Sequence, residues 1–186
     1  VKGLDSLMRT IFTGLNELDA LLSLGILKLH RFSWLGFICR ALSRSADGYL
    51  YPVIPLVLWL SGSEQAFVFL ISTAAAYAVD IPLFIWIKNQ VKRERPFASL
   101  EGVTERLRAP DRFSFPSGHT ASAFVMAFLI LFFLPTWVGT IGLIWASLVG
   151  FSRVYLGVHY PTDVVAGTAL GFFSASLGFL LSIPFH

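Results

Sequence analysis

Five runs of this 186-residue chain are apolar over lengths that reach or approach the thickness of a bilayer: roughly 46–62, 65–87, 118–134, 137–155 and 162–183. A helix needs about 20 such residues to cross the hydrocarbon core. The expected fold is therefore all-α, a multi-pass transmembrane helical bundle of five spans, or six if residues 20–39 also cross. Composition agrees, because 55% hydrophobic and 13% charged residues are an imbalance that ordinary soluble domains do not carry.

Residues 16–43 are apolar too, but Lys28, His30 and Arg31 fall in their middle, and a charge at a span's centre costs about 2.5–3.5 kcal/mol on insertion scales. Leu15, Leu18, Leu22 and Ile26, then Phe37, Ala41 and Leu42, recur at helical spacing. This stretch reads as an amphipathic helix lying at the headgroup level or packed on the rim of the bundle. The chain thus divides into an N-terminal amphipathic segment, 1–47, and a membrane-embedded bundle, 48–186. No secretory signal is expected in the first twenty residues, which carry Asp5, Arg9, Glu17 and Asp19. A single cysteine, Cys39, excludes an internal disulfide. The net charge of +3 does not point to nucleic acid, because the basic residues sit in short segments between apolar runs rather than along one soluble face. A bilayer and a phosphate-bearing lipid are the expected partners, and no oligomeric state is assigned.

Three polar clusters interrupt the apolar chain: Lys88 to Pro96, Phe115 to Thr120, and Ser152 to Asp163. Each joins or opens a span, and alternation of the spans puts all three on one membrane face. Lys88, Arg95 and Arg153 then supply three permanent cations, a phosphate clamp. Ser117 and Gly118 open a helix whose N–H groups, with the Ser117 hydroxyl, can face an anion. Two histidines remain, His119 and His159, and phosphoryl transfer through a covalent intermediate needs a nucleophile and a proton donor. Asp163, four residues after His159 in the first turn of the last span, can accept a hydrogen bond from one ring nitrogen and leave the other free.

Lys88-Asn-Gln-Val-Lys-Arg-Glu-Arg95-Pro96, Pro116-Ser117-Gly118-His119 and Ser152-Arg153-Val-Tyr-Leu-Gly-Val-His159-Tyr-Pro-Thr-Asp163 resemble, in order and spacing, the three motifs of the type 2 phosphatidic acid phosphatase superfamily, with no departure at a motif position. The resemblance covers about 48–186. It implies that His159 is the nucleophile oriented by Asp163, and that His119 is the general acid. Lys88, Arg95, Arg153, Ser117 and the Gly118 backbone would hold the phosphate. It further implies a metal-independent phosphatase without cofactor, acting on phosphatidic acid, phosphatidylglycerophosphate or a polyprenyl diphosphate. A phosphotransferase on the same scaffold and a non-catalytic lipid-phosphate binder are the alternatives. Arg93, two before Arg95, is a candidate to support the phosphate from behind its direct ligands. Asp80, about 12 Å along the helix from Lys88, is a candidate partner of a motif cation, of Tyr77 or of substrate. Lys92, Arg106, Arg108, Arg112, His30 and His186 read as interfacial or solvated groups. An inner, cytoplasmic membrane is expected, with the site facing the cytoplasm because Lys and Arg gather on the site face.

Overall fold

The computed structural model describes residues 2–107, 109 and 111–185, with side chains from residue 15 onward. Arg108 and His186 lie outside the described residues. The elements are α1 (Lys2–Leu27), a 3-10 turn (Lys28–Arg31), α2 (Ser33–Ser45), α3 (Val53–Leu60), α4 (Ala66–Val91), α5 (Pro96–Ser99), α6 (Gly118–Phe133), α7 (Thr136–Tyr155), α8 (Pro161–Ser182) and a closing 3-10 turn (Ile183–Phe185). The described residues are all-helical apart from one isolated bridge between Glu94 and Phe113.

Three helices are long and apolar enough to cross a membrane, namely α4, α7 and α8 with its closing turn. The sixteen residues of α6 are apolar as well, but at 1.5 Å each they reach only about 24 Å. The expected span over 46–62 needs correction, since only Val53–Leu60 is helical. Gly48, at φ +95°, is in a conformation that a right-handed helix does not contain, and Pro52 then opens α3 as its N-cap. The amphipathic stretch 16–43 also folds with a break. Phe32 is extended, at φ −96° and ψ 100°, and the two helices on either side meet at 119°. Counted as one broken span, that pair would make four.

Helix α8 packs against α4 and α6, and α6 against α7. Small residues on α8, Gly167, Gly171 and Gly178, permit this closeness. A Cβ on Gly171 would lie 2.5 Å from the Ala121 carbonyl, and one on Gly178 would lie 2.5 Å from the Ser72 carbonyl. Phe69, Ala76, Val125, Met126, Leu129 and Ala175 fill the interior between these helices. The outward faces carry exposed Ile85, Trp86, Ile141, Ile144, Phe172 and Phe173, apolar groups of the kind that lipid covers.

The C-terminal ends of α4 and α7 meet the N-terminal ends of α6 and α8, so the three polar clusters share one end of the bundle. Helix α2 packs on α7, where Trp145 Nε1 donates to Ser45 Oγ at 2.9 Å. That contact delivers the α2–α3 connection to the same end.

Candidate active site

Helix starts and stops place the polar side chains. Ser117 is the N-cap of α6, and its hydroxyl accepts from the Thr120 N–H and pairs with the Thr120 hydroxyl at 2.8 Å. It is turned into the protein, while Gly118 and His119 line the pocket. Gly118 is there because a Cβ would sit 2.8 Å from the Phe84 ring. Pro161 starts α8, and Asp163 Oδ2 accepts the Tyr160 N–H at 2.8 Å, a carboxylate at a helix N-terminus as the dipole favours.

A polar cavity of about 500 Å³ collects Lys88, Arg95, Gly118, His119, Arg153 and His159, with Asp47, Asp80 and Asp111 on its walls. Arg95, Arg153 and His159 are each at most 2% exposed. Arg153 donates to Ser43 Oγ. Its buried Nε has no hydrogen-bond partner among the described residues, which in a folded protein costs about 1–3 kcal/mol unless a ligand supplies the acceptor. Lys88, Arg95 and Arg153 together make this cavity one that favours an anion.

The two other cations are held by a carboxylate that sequence reasoning missed. Asp111 accepts Lys88 Nζ at 2.7 Å and Arg95 Nη2 at 2.8 Å, and its carbonyl accepts Arg95 Nε at 3.0 Å. Partial burial by itself would raise the Asp111 carboxyl, but these hydrogen bonds outweigh it and hold it below the usual carboxylate range. Arg95 Nη1 also donates to the Val158 carbonyl at 2.7 Å and lies 3.3 Å from His159 Nε2.

His159 Nδ1 lies 2.7 Å from the Ser114 carbonyl. A carbonyl only accepts, so Nδ1 carries the hydrogen and Nε2 the lone pair. Asp163 Oδ2 stands 3.7 Å from Nδ1, beyond hydrogen-bond length, so it acts on the ring by charge while the Ser114 carbonyl sets the tautomer. Burial, then the charges of Arg153 and Arg95 against the pull of Asp163, push the imidazole down to about 3. At neutral pH the ring is uncharged, and the Nε2 lone pair faces the Arg95 Nη1 hydrogen, the two nitrogens 3.3 Å apart.

Arg93 is not in the cavity. It lies behind Asp163, donating to Asp163 Oδ1 at 2.9 Å, to Asp19 at 2.6 Å and to Thr162 Oγ1 at 2.7 Å, and its guanidinium covers the Tyr160 ring at 4.0 Å. The buried Asp19 in turn accepts the Thr162 N–H at 3.0 Å, which ties α1 to the start of α8. Asp80 does reach the cavity, but its hydrogen bond is from Ser174 Oγ at 3.4 Å rather than from a motif cation, and Tyr77 donates to the Ser122 carbonyl. His119 Nε2 meets Asp47 Oδ1 at 2.9 Å. Asp47 and Asp111 escaped the sequence reading, although a lone carboxylate inside the apolar 46–62 run was the available signal for Asp47.

Beside the polar cavity lies an apolar one of about 660 Å³, walled by Pro55, Leu56, Trp59, Leu70 and Ala74. Gly48, Tyr51, Ile81 and Ser122 line both, so the two share a wall.

The arrangement has counterparts. A sequence profile of the PAP2 superfamily matches residues 65–183. The chain is 33% identical over 131 residues to an undecaprenyl-diphosphatase of Sulfolobus acidocaldarius, covering 70% of this chain and 62% of that protein. It spans less than two thirds of the length of such curated relatives. The crystal structure of Aquifex aeolicus LpxE superposes with a TM-score of 0.74 at 26% identity, over 88% of this chain and 93% of that one. A transmembrane PAP2 type phosphatidylglycerolphosphate phosphatase from Bacillus subtilis gives a TM-score of 0.69 at 27% identity, over 92% of this chain and 86% of that one.

Proposed function

The chain belongs to the PAP2 superfamily, and from that premise we propose that it is a membrane phosphatase that hydrolyses a lipid phosphate or diphosphate through a phosphohistidine at His159. The observation that carries this reading is the convergence of Lys88, Arg95 and Arg153 with the unprotonated His159 Nε2 on one cavity, Arg153 keeping a buried Nε without a hydrogen-bond partner among the described residues. Nε2 attacks phosphorus, and a P–N bond forms as the bond to the leaving oxygen breaks. That oxygen takes a proton from His119. A water then returns a proton to His119 as its oxygen attacks phosphorus, the P–N bond breaks onto Nε2, and inorganic phosphate leaves. Lys88, Arg95 and Arg153 offset the charge on the equatorial oxygens in both steps.

The adjoining apolar cavity supports a substrate with a hydrocarbon chain. Undecaprenyl diphosphate and phosphatidylglycerophosphate are the lipids to try first, since relatives carry those names. We also read α6 as crossing with α4, α7 and α8. A fifth, partly helical pass would run from Asp47, which touches His119, to Trp59, which shares a cavity wall with Ala66. The bent α1–α2 pair forms a collar at the site end. The turns at the opposite end, 61–65 and 134–136, hold no Lys or Arg, which supports a cytoplasm-facing site.

The test is release of free phosphate by detergent-solubilised protein from each lipid, in the presence of a chelator, with His159→Ala as control. Phosphate release that survives chelation and disappears in His159→Ala is expected. Phosphate passed to a second lipid would make the protein a transferase, and wild-type turnover in His159→Ala would remove the nucleophile assignment.

A further inference from the structure

Each carboxylate on the wall of the polar cavity has a partner, and the pairing singles out one of them. Asp111 is engaged with Lys88 and Arg95, and Asp80 with Ser174, while Asp47 meets His119. Asp47 lies outside the stretch that the family profile matches, 65–183. Resting on the phosphatase reading above, we propose that Asp47 is the positioning residue of the proton-transfer histidine, holding His119 Nε2 so that Nδ1 faces the leaving oxygen.

The backbone around Asp47 is fixed rather than free. Ala46 is buried in a cluster with Ala123, Phe124, Ala127, Ala146 and Val149. The Tyr51 hydroxyl donates to the Ala46 carbonyl at 3.3 Å, and Trp145 anchors Ser45. Gly48, at φ +95°, turns the chain immediately afterwards. A carboxylate held this way can fix a ring.

The chemistry also requires such a group. A general acid must carry a proton until the leaving oxygen needs it, yet His119 shares its cavity with Lys88, Arg95 and Arg153, all of which repel an imidazolium. Asp47 is the carboxylate in contact with it. With Nε2–H on Asp47, the Nδ1 proton passes to the leaving oxygen as the P–O bond breaks. The ring is left neutral with Nε2–H still held, and the attacking water refills Nδ1. Each histidine is then paired with an aspartate, His159 with Asp163 through space at 3.7 Å and His119 with Asp47 at 2.9 Å.

A leaving-group comparison tests the assignment. Dodecyl phosphate expels a poor leaving group that needs the proton, and 4-nitrophenyl phosphate expels one that does not. Asp47→Asn is expected to lower kcat/KM by about tenfold or more for the alkyl ester and by less than about threefold for the aryl ester, within the range typical of proton-transfer catalysis. In a His119→Ala background it should add nothing further. Asp47→Glu, which keeps the charge, should recover part of the alkyl-ester rate. Equal losses on both esters, no loss on either, or an undiminished effect without His119 would overturn the proposal. If Asp47→Asn does not fold, Asp47→Ser is read in the same ratio, and failure of both to fold makes Asp47 structural and overturns it as well. A wild type that hydrolyses neither ester overturns the phosphatase reading itself.

Discussion

At the scale of residues, the pairing of like-charged groups with a few carboxylates decides what each one can do. His159 stays neutral because it is buried beside two arginines, and the cost appears in acid. Its folded-state value of about 3 lies below the ordinary 6.5, so between those values the unfolded chain binds a proton that the folded one does not. This contribution to stability is complete above pH 6.5 and is lost as the pH falls through that window. Thermal unfolding in detergent should therefore fall less steeply on acidification in His159→Gln than in wild type. Identical slopes would show that the imidazole is not held neutral. Asp111 makes the second case. By gripping Lys88 and Arg95 together it pre-organises two arms of the proposed phosphate clamp, and charged hydrogen bonds are worth about 1.5–3 kcal/mol each. Asp111→Asn is expected to weaken inhibition by orthovanadate by about tenfold, the equivalent of about 1.4 kcal/mol. Tighter vanadate binding in the variant would show instead that Asp111 competes with the substrate.

Among the elements, α8 sets the tolerances of the bundle. Its glycines bring it within reach of backbone carbonyls on α4 and α6, and no flexible side-chain end is available there to move aside. Gly171→Ala, with its Cβ 2.5 Å from the Ala121 carbonyl, should destabilise the protein by about 1–3 kcal/mol. Gly25→Ala in α1, where nothing lies within 4 Å, is the matched control and should be neutral or gain about 0.5–1 kcal/mol. Equal unfolding midpoints for the two variants would sink the close-packing account. Helix α2 matters for a different reason, since its contact with α7 carries Asp47 to the site.

For the whole molecule, charge asymmetry between the two ends of the bundle carries the orientation. With the buried Cys39 replaced, single cysteines at Ser99 beside the site and at Ser61 at the opposite end, both exposed, can be probed in intact cells with an impermeant maleimide. Labelling at Ser61→Cys alone is the expected result. Labelling at Ser99→Cys alone would place the site on the outer face. The same end-to-end asymmetry shapes the cavities, polar where the helix ends gather cations and apolar along α3 and α4.

The amino-acid pattern was enough to establish the all-helical membrane character, because the length and apolarity of 65–87, 137–155 and 162–183 leave little else for those segments to become. It also determined that the three polar clusters meet, because alternating antiparallel helices return their ends to the same side. Tertiary structure alone decided the pairings. Asp47 reaches His119 across 72 positions and Arg93 reaches Asp163 across 70, and no local pattern encodes contacts made by chain closure at that distance. The same holds for the tautomer of His159, which depends on a carbonyl 45 residues away. The shortness of α3 was half legible. Pro52 and Pro55 fall inside the apolar run, but hydropathy counts apolar residues and does not see a glycine turning the backbone, so only the fold showed where the helix begins.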